Sequence, residues 1–270
     1  MKKKEFIEKN TGKDRILGRP IKCNRQTLQV NPKGYSEVIF IGDLHYGSPQ
    51  SNVKKFLRML DYCLKKKVYL VLMGDILEAA TKTSVAAGWA EQEYVLQKQY
   101  EDVVGFLTPL AEKGLILGYV QGNHEQRIWV SSGLDICKLI CRELKVPYLG
   151  GACWNLFKVG KQHYSVYTLH GRTAAQSDGT VLTVAKRLAY PFYCDVFAMA
   201  HAHRCVDGIG LAQYVELKTK MVKEKRKIVM ITGSYLDYGG YWQDRGGEIS
   251  KIGSPKIKFF SEDHQTHISW

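Results

Sequence analysis

Three apolar runs in the first half of the chain each end on a glycine followed at once by a residue able to bind a cation. "VIFI" (38–41) leads into Gly42-Asp43-Leu44-His45, "VYLVLM" (68–73) into Gly74-Asp75, and "LILGYVQ" (115–121) into Gly122-Asn123-His124-Glu125. Short apolar runs without polar alternation read as strands buried on both faces, the pattern of a parallel sheet covered by helices. The stretches between them supply those helices. "NVKKFLRMLDYCLKKK" (52–67) sets Phe56, Leu57, Leu60 and Leu64 at helical spacing, and further helices are expected over about 91–113 and 134–144.

The second half is richer in strands. "CWNLFKV" (153–159), "HYSVYTL" (163–169), "DVFAMA" (195–200), "IGLAQYVEL" (209–217) and "KIVMITG" (227–233) read as β, with one helix, "TVLTVAKRLAY" (180–190), among them. The second of these strands runs into His170 and the third into His201-Ala202-His203. Alternating strands and helices followed by strands in series predict an α/β protein with two stacked sheets. In open α/β sheets, ligands bind beyond the carboxyl ends of strands. Five of the eight histidines fall at such ends, and five strand ends that each carry candidate ligands are difficult to assign to chance.

Asp, Asn and His together form a mixed oxygen and nitrogen donor set suited to Mn²⁺, Fe²⁺, Zn²⁺, Co²⁺ or Ni²⁺. Asp43, His45, Asp75, Asn123, His170, His201 and His203 are too many for one ion. Shared between two ions through one bridging carboxylate, they give each ion four protein ligands. Two ions about 3.5–4 Å apart form a clamp for in-line displacement at phosphorus and lower the pKa of a bridging water.

Bulk properties narrow the setting. A chain of 270 residues that is 45% hydrophobic can bury a full core. The expected division is a basic lead-in (1–36) and a single domain (37–270), whose last part, 234–270, is a Tyr/Gly-rich extension. No apolar stretch is long enough to span a bilayer, and "MKKKEFIEKN" has no apolar run behind it as a secretory signal would, so a cytoplasmic location without a membrane partner is expected. Seven cysteines, none in a C-x-x-C pair, fit reduced thiols, with Cys137 and Cys141 as core packing. The net charge of +13 is concentrated in residues 1–36 and in "LKTKMVKEKRK" (217–227), the latter read as a hairpin tip or charged edge. Charge alone leaves open a solvated face or a phosphate-rich partner such as nucleic acid.

The five blocks Asp43-Leu44-His45, Gly74-Asp75, Gly122-Asn123-His124-Glu125, His170 and Ala200-His201-Ala202-His203 resemble, in order, the D-x-H, G-D, G-N-H-[ED], H and G-H-x-H pattern of the calcineurin-like metallophosphoesterases. The resemblance covers about residues 38–203. It implies a β-sandwich flanked by helices, here a four-layer α/β/β/α sandwich of two mixed sheets with a dinuclear metal site at strand carboxyl ends. It also implies that Asp43, His45 and His203 hold one ion, that Asn123, His170 and His201 hold the other, that Asp75 bridges them, and that His124 faces the phosphate and stabilises or protonates the departing oxygen. Two divalent ions, Mn²⁺ first, are the implied cofactors. Ala200 departs from the usual glycine.

The substrate is less legible. Protein Ser/Thr phosphatases of this family read G-D-x-V-D-R-G where this chain reads "GDILEAATK", so Glu78 replaces the second Asp and Ala79 the phosphate-binding Arg. Loss of that bidentate clamp counts against a phosphomonoester. Arg127 and Arg172 are candidate substitutes, each equally readable as a surface or capping residue. "GDLHYGS" is closer to the phosphodiesterase branch, which includes Mre11- and SbcD-type nucleases, and the compact chain is closer to phage and prophage phosphoesterases. Trp89, Tyr94 and Tyr100 either stack a base or pack a helix onto the body, the second being favoured. The expectation is a metal-dependent phosphodiesterase acting on nucleic acid or nucleotides, with a phosphomonoesterase as the alternative. A third reading, a non-catalytic nucleic-acid-binding module, conflicts with the presence of all seven ligand positions and His124. Metal identity, exo- or endo-action and oligomeric state are not written in the sequence.

Overall fold

The computed structural model describes residues 22–82, 84, 88–239, 243 and 249–270. One sheet is built around the three apolar runs. It contains β2 (Tyr35–Ile41), β3 (Tyr69–Leu72), β4 (Ile116–Val120) and β5 (Tyr148–Gly150) in parallel, with β11 (Lys256–Phe260) antiparallel on β2 and β12 (Thr266–Ser269) at its edge. The second sheet has the order β1 (Lys22–Leu28), β6 (Ala152–Val159), β7 (Gln162–Leu169), β8 (Val196–Met199), β10 (Met221–Thr232) and β9 (Cys205–Glu216). In it β7, β8 and β10 are parallel.

The period of two along each strand divides the core into layers. Val38, Phe40, Val71 and Met73 meet Phe157, Val166, Val196 and Met230 between the sheets. Ile39, Ile41, Leu70 and Leu72 face the other way, onto α1 (Val53–Lys66), α3 (Leu96–Glu112) and α5 (Ile136–Glu143). Val229 and Ile231 of the second sheet pack against Val181 and Ala185 of α6 (Asp178–Ala189). Both faces of the central strands are therefore covered, which is why their sequences are apolar throughout. The architecture is the expected α/β/β/α sandwich of two mixed sheets flanked by helices.

Some elements differ from the sequence reading. The helix expected over 91–113 begins only at Leu96, after a separate turn, α2 (Gly88–Glu91), because the Glu93 amide donates instead to Gly47 O. The helix over 134–144 starts one residue inside its cap, Asp135, which accepts from the Lys138 amide. A further helix, α4 (Asn123–Ser132), went unread because it buries little apolar surface, chiefly Ile128. Strand β1 lies in the stretch read as a lead-in. Its polar sequence pairs along β6 at the sheet edge, so neighbours rather than apolarity define it. Residues 217–227 form the turn and outer half of the β9–β10 hairpin, as expected. All seven cysteines are free, with Cys137 and Cys141 buried in the core. Residues 1–21 and, within the Tyr/Gly-rich extension, 240–242 and 244–248 lie outside the described residues.

Candidate metal centre

Each sheet delivers polar side chains from the ends of its parallel strands. Asp43 and His45 follow β2, Asp75 follows β3, Asn123 and His124 open α4 directly after β4, His170 follows β7, and His201 and His203 follow β8. Backbone bonds continue the pairing beyond the strands: Asp43 N donates to Gly74 O (3.0 Å) and His45 N to Asp75 O (2.9 Å). The second sheet ties itself to the same loop. The His201 amide donates to Asp43 Oδ2 (3.0 Å), and His170 Nδ1 donates to Met73 O (2.8 Å). The Tyr235 amide, from the segment after β10, donates to Asp43 O (2.9 Å).

Two glycines allow this approach. A Cβ on Gly122 would lie 2.2 Å from Asp75 Oδ1, and one on Gly74 (φ +90) would lie 2.6 Å from Gly122 Cα and 2.7 Å from His170 Nδ1. Only hydrogen fits at either position. Asp43, His45, Asp75, His201 and His203 all lie in the left-handed region, with φ of 50, 52, 50, 70 and 55. Such a conformation costs a non-glycine residue on the order of 1–3 kcal/mol and persists only where the surroundings impose it. Ala200 is buried and outside that region, so its methyl introduces no backbone strain.

The donor atoms converge in groups. Those of Asp43, His45 and His203 lie within 4.8 Å of one another, as do those of Asp75, His170 and His201. Asn123 Oδ1 joins the second group, 2.9 Å from His170 Nε2 and 2.7 Å from His201 Nδ1. Asp75 Oδ2 stands 3.1 Å from His170 Nε2 and 3.9 Å from His45 Nε2, and so faces both groups. The sequence-expected ligand set is therefore brought together.

These atoms suit cations. His170 uses its Nδ1 hydrogen on a carbonyl and His45 uses its own on Glu78 Oε2 (3.0 Å), which leaves both Nε2 atoms turned toward carboxylates. Asp43 Oδ1 is buried without a hydrogen-bond partner, 3.4 Å from His203 Nε2. Burial opposes the charge on Asp75, yet His124 and His170 hold it well below the ordinary carboxylate range, and against the same opposition His203 lowers the pKa of Asp43. Ionised carboxylates and imidazole lone pairs facing one space, one oxygen unpaired, fit a pair of borderline divalent ions.

Two acids do the orienting. Glu125 Oε1 accepts from the Ile76 and Leu77 amides and Tyr119 Oη, and its Oε2 accepts from the Asp75 and Gly122 amides, all between 2.8 and 3.2 Å. It locks the Asp75 loop to the start of α4. Glu78 was visible in the sequence only as a departure from the phosphatase motif. Its carboxylate holds His45 Nδ1 and lies 3.5 Å from His124 Nδ1, while its carbonyl accepts from that nitrogen at 2.7 Å. Of the two candidate arginines, Arg127 is half-buried and donates to Ser84 Oγ (3.0 Å), near enough to His124 to oppose its protonation. Arg172 is exposed. Arg204, buried beside His203, donates to Gln176 O (2.8 Å) and anchors the loop.

No curated protein matches the chain. Solved structures to which the chain shows similarity include a predicted phosphoesterase from Streptococcus pneumoniae TIGR4 (11% identity, 87% of this chain and 88% of that one covered, TM-score 0.37). Vps29 from Entamoeba histolytica complexed with Zn²⁺ is another (13%, 86% and 97%, TM-score 0.34), as is GAP50, the anchor in the inner membrane complex of Plasmodium (11%, 87% and 88%, TM-score 0.37). The family model for calcineurin-like phosphoesterases matches residues 36–211, which hold all the strand-end residues described above. The chain belongs to the calcineurin-like phosphoesterases and is a metal-dependent phosphoester hydrolase.

Proposed function

We propose that the chain hydrolyses a phosphodiester of nucleic acid or of a nucleotide in the cytoplasm, with Mn²⁺ as the preferred metal. Asp43, His45 and His203 would hold one ion, Asn123, His170 and His201 the other, with Asp75 shared. Divalent ions bound there supply Lewis acidity and neutralise charge on the phosphate oxygens. The observation that carries the diester reading is at Ala79. It is buried, and its amide is spent on Gln99 Oε1 (2.9 Å), where the family's protein phosphatases carry an arginine. A dianionic monoester relies on such a clamp, whereas a diester carries a single charge. The +13 net charge supports a polyanionic substrate.

His124 is suited to proton donation. The Glu78 carbonyl can only accept, so Nδ1 keeps its hydrogen and Nε2 is the atom that titrates. Burial disfavours the second proton, but Asp75, 3.8 Å from Nε2, and Glu78 outweigh it and raise the pKa. A charged imidazole beside the site can then give its Nε2 proton to the departing oxygen. Arg127 favours the second reading, a phosphomonoesterase, because it stands close to His124.

The test is a side-by-side rate assay in Mn²⁺ on bis-p-nitrophenyl phosphate and p-nitrophenyl phosphate, with Asp75→Asn as the inactive control. A faster diester rate is expected. A faster monoester rate would overturn the proposal and make Arg127 the phosphate contact.

A further inference from the structure

The three aromatic residues of the stretch 81–100, which lies between the second and third ligand blocks, have different surroundings. Tyr94 stacks on Tyr46 (5.4 Å between centroids, 19° between planes), and Tyr100 donates to Glu143. Both serve packing, as the sequence reading favoured. Trp89 is 49% exposed and lines a cavity of about 460 Å³ together with Ala80, Lys82, Gln92, Ile128 and Ser131. That volume is within the range of small-molecule sites.

Both walls of the cavity continue from segments that carry residues of the metal centre. Ala80 and Lys82 continue the loop from Glu78, whose carboxylate and carbonyl hold His45 and His124. Ile128 and Ser131 are on α4, which begins at Asn123 and His124. At about 1.5 Å per residue, they lie roughly 6 Å and 10 Å along the helix from His124. Arg127 closes the gap between the walls by donating to Ser84 Oγ, which also accepts from the Thr81 amide (2.8 Å). The lining offers what a nucleobase requires: an indole for stacking, the apolar Ile128, the donor side of the Gln92 amide, whose Oε1 accepts from Gln99 Nε2 (3.1 Å), and the Ser131 hydroxyl as an acceptor, its hydrogen being used on Ile128 O (3.2 Å). Exposed Lys82 suits a phosphate at the rim.

We infer that this cavity is a nucleobase-binding subsite, with Trp89 stacking a base of the substrate next to the phosphoryl group held at the metal centre. The inference rests on the nucleic-acid or nucleotide reading above and adds the residue that selects such substrates. Trp89 acts on affinity and takes no part in bond breaking.

The test is fluorescence anisotropy with a labelled thymidine trinucleotide carrying phosphorothioate links, and with its counterpart lacking the central base. Each is titrated with the full chain in Mn²⁺. The unaltered protein is expected to bind the base-bearing probe about 5- to 150-fold more tightly, the range of one stacked base. Trp89→Ala should bring that ratio to near one, and Trp89→Phe should keep most of it. Ser131→Trp fills the cavity from the opposite wall and should erase the ratio with Trp89 in place, so a folding defect at Trp89 cannot mimic the result. Equal binding of the two probes by the unaltered protein overturns the inference, as does a ratio untouched by Trp89→Ala or Ser131→Trp. The bis-p-nitrophenyl phosphate assay is read separately. Diester hydrolysis without base preference removes the subsite and keeps the diester reading, and base preference without diester hydrolysis does the reverse.

Discussion

His124 and Glu78 carry different parts of the proposed chemistry. If His124 donates the proton, His124→Ala should lower kcat by roughly 10²- to 10⁴-fold. Bound metal, measured by elemental analysis, should be unchanged, because its ring is turned to Glu78 and Asp75 and lies outside the proposed ligand set. Full activity in that variant would remove His124 from the mechanism. Glu78→Gln keeps the side chain's size but replaces the carboxylate that accepts from His45 Nδ1. Partners of this kind orient a ligand and raise its basicity. Metal affinity should fall about 10- to 100-fold, read by titration of the metal-free protein.

At the scale of the element, the two sheets meet through loops, and glycine sets their spacing. Gly122→Ala would drive a methyl into Asp75 Oδ1 and the Asp75 amide, neither of which is the free end of a flexible side chain. A cost of about 3 kcal/mol or more is expected, visible as a fall in thermal midpoint together with weakened metal binding. Gly105→Ala is the contrast. It sits on the exposed face of α3 with nothing near its missing Cβ, and should stabilise by roughly 0.5–1 kcal/mol. Equal effects of the two substitutions would show that helix propensity, and not close approach, governs Gly122.

For the whole molecule, the centre concentrates charge that metal must compensate. Burial pulls the His170 pKa down, but Asp75 and Asp43 beside it more than offset this and push it up to about 10. A histidine raised in the folded state stabilises fully below its unfolded value near 6.5 and loses that contribution as pH rises through the folded value. The metal-free protein should therefore lose stability, on the order of a few kcal/mol, between about pH 6.5 and 10. His124, also raised, acts in the same sense. Metal-loaded protein should lack this loss, because a ligand nitrogen holds no proton to lose, and its thermal midpoint should exceed that of the chelated protein. Melting curves of both forms across this pH range provide the check. A metal-free protein that gains stability toward pH 10 would contradict the charge arrangement described here. Among the described residues no helix is long and apolar enough to cross a membrane.

The central strands, the strand-end polar residues and their grouping into one site were legible because a buried strand must be apolar and a ligand must be polar, and both requirements are local. The amino-acid order was enough to place Asp43, His45, Asp75, Asn123, His170, His201 and His203 at strand ends. It did not reveal β1, β5, β11 or β12, whose short or polar sequences become strands only by pairing with a neighbour. Nor did it reveal α4, which is held by the Glu125 cap and the contacts of its first turn more than by an apolar face. The left-handed backbone at five of the site residues, the close approach of Gly74 and Gly122, and the role of Glu78 between His45 and His124 were also decided by the tertiary structure. Each depends on distances between segments 30 to 160 residues apart, and separation along the chain carries no signal of proximity in space.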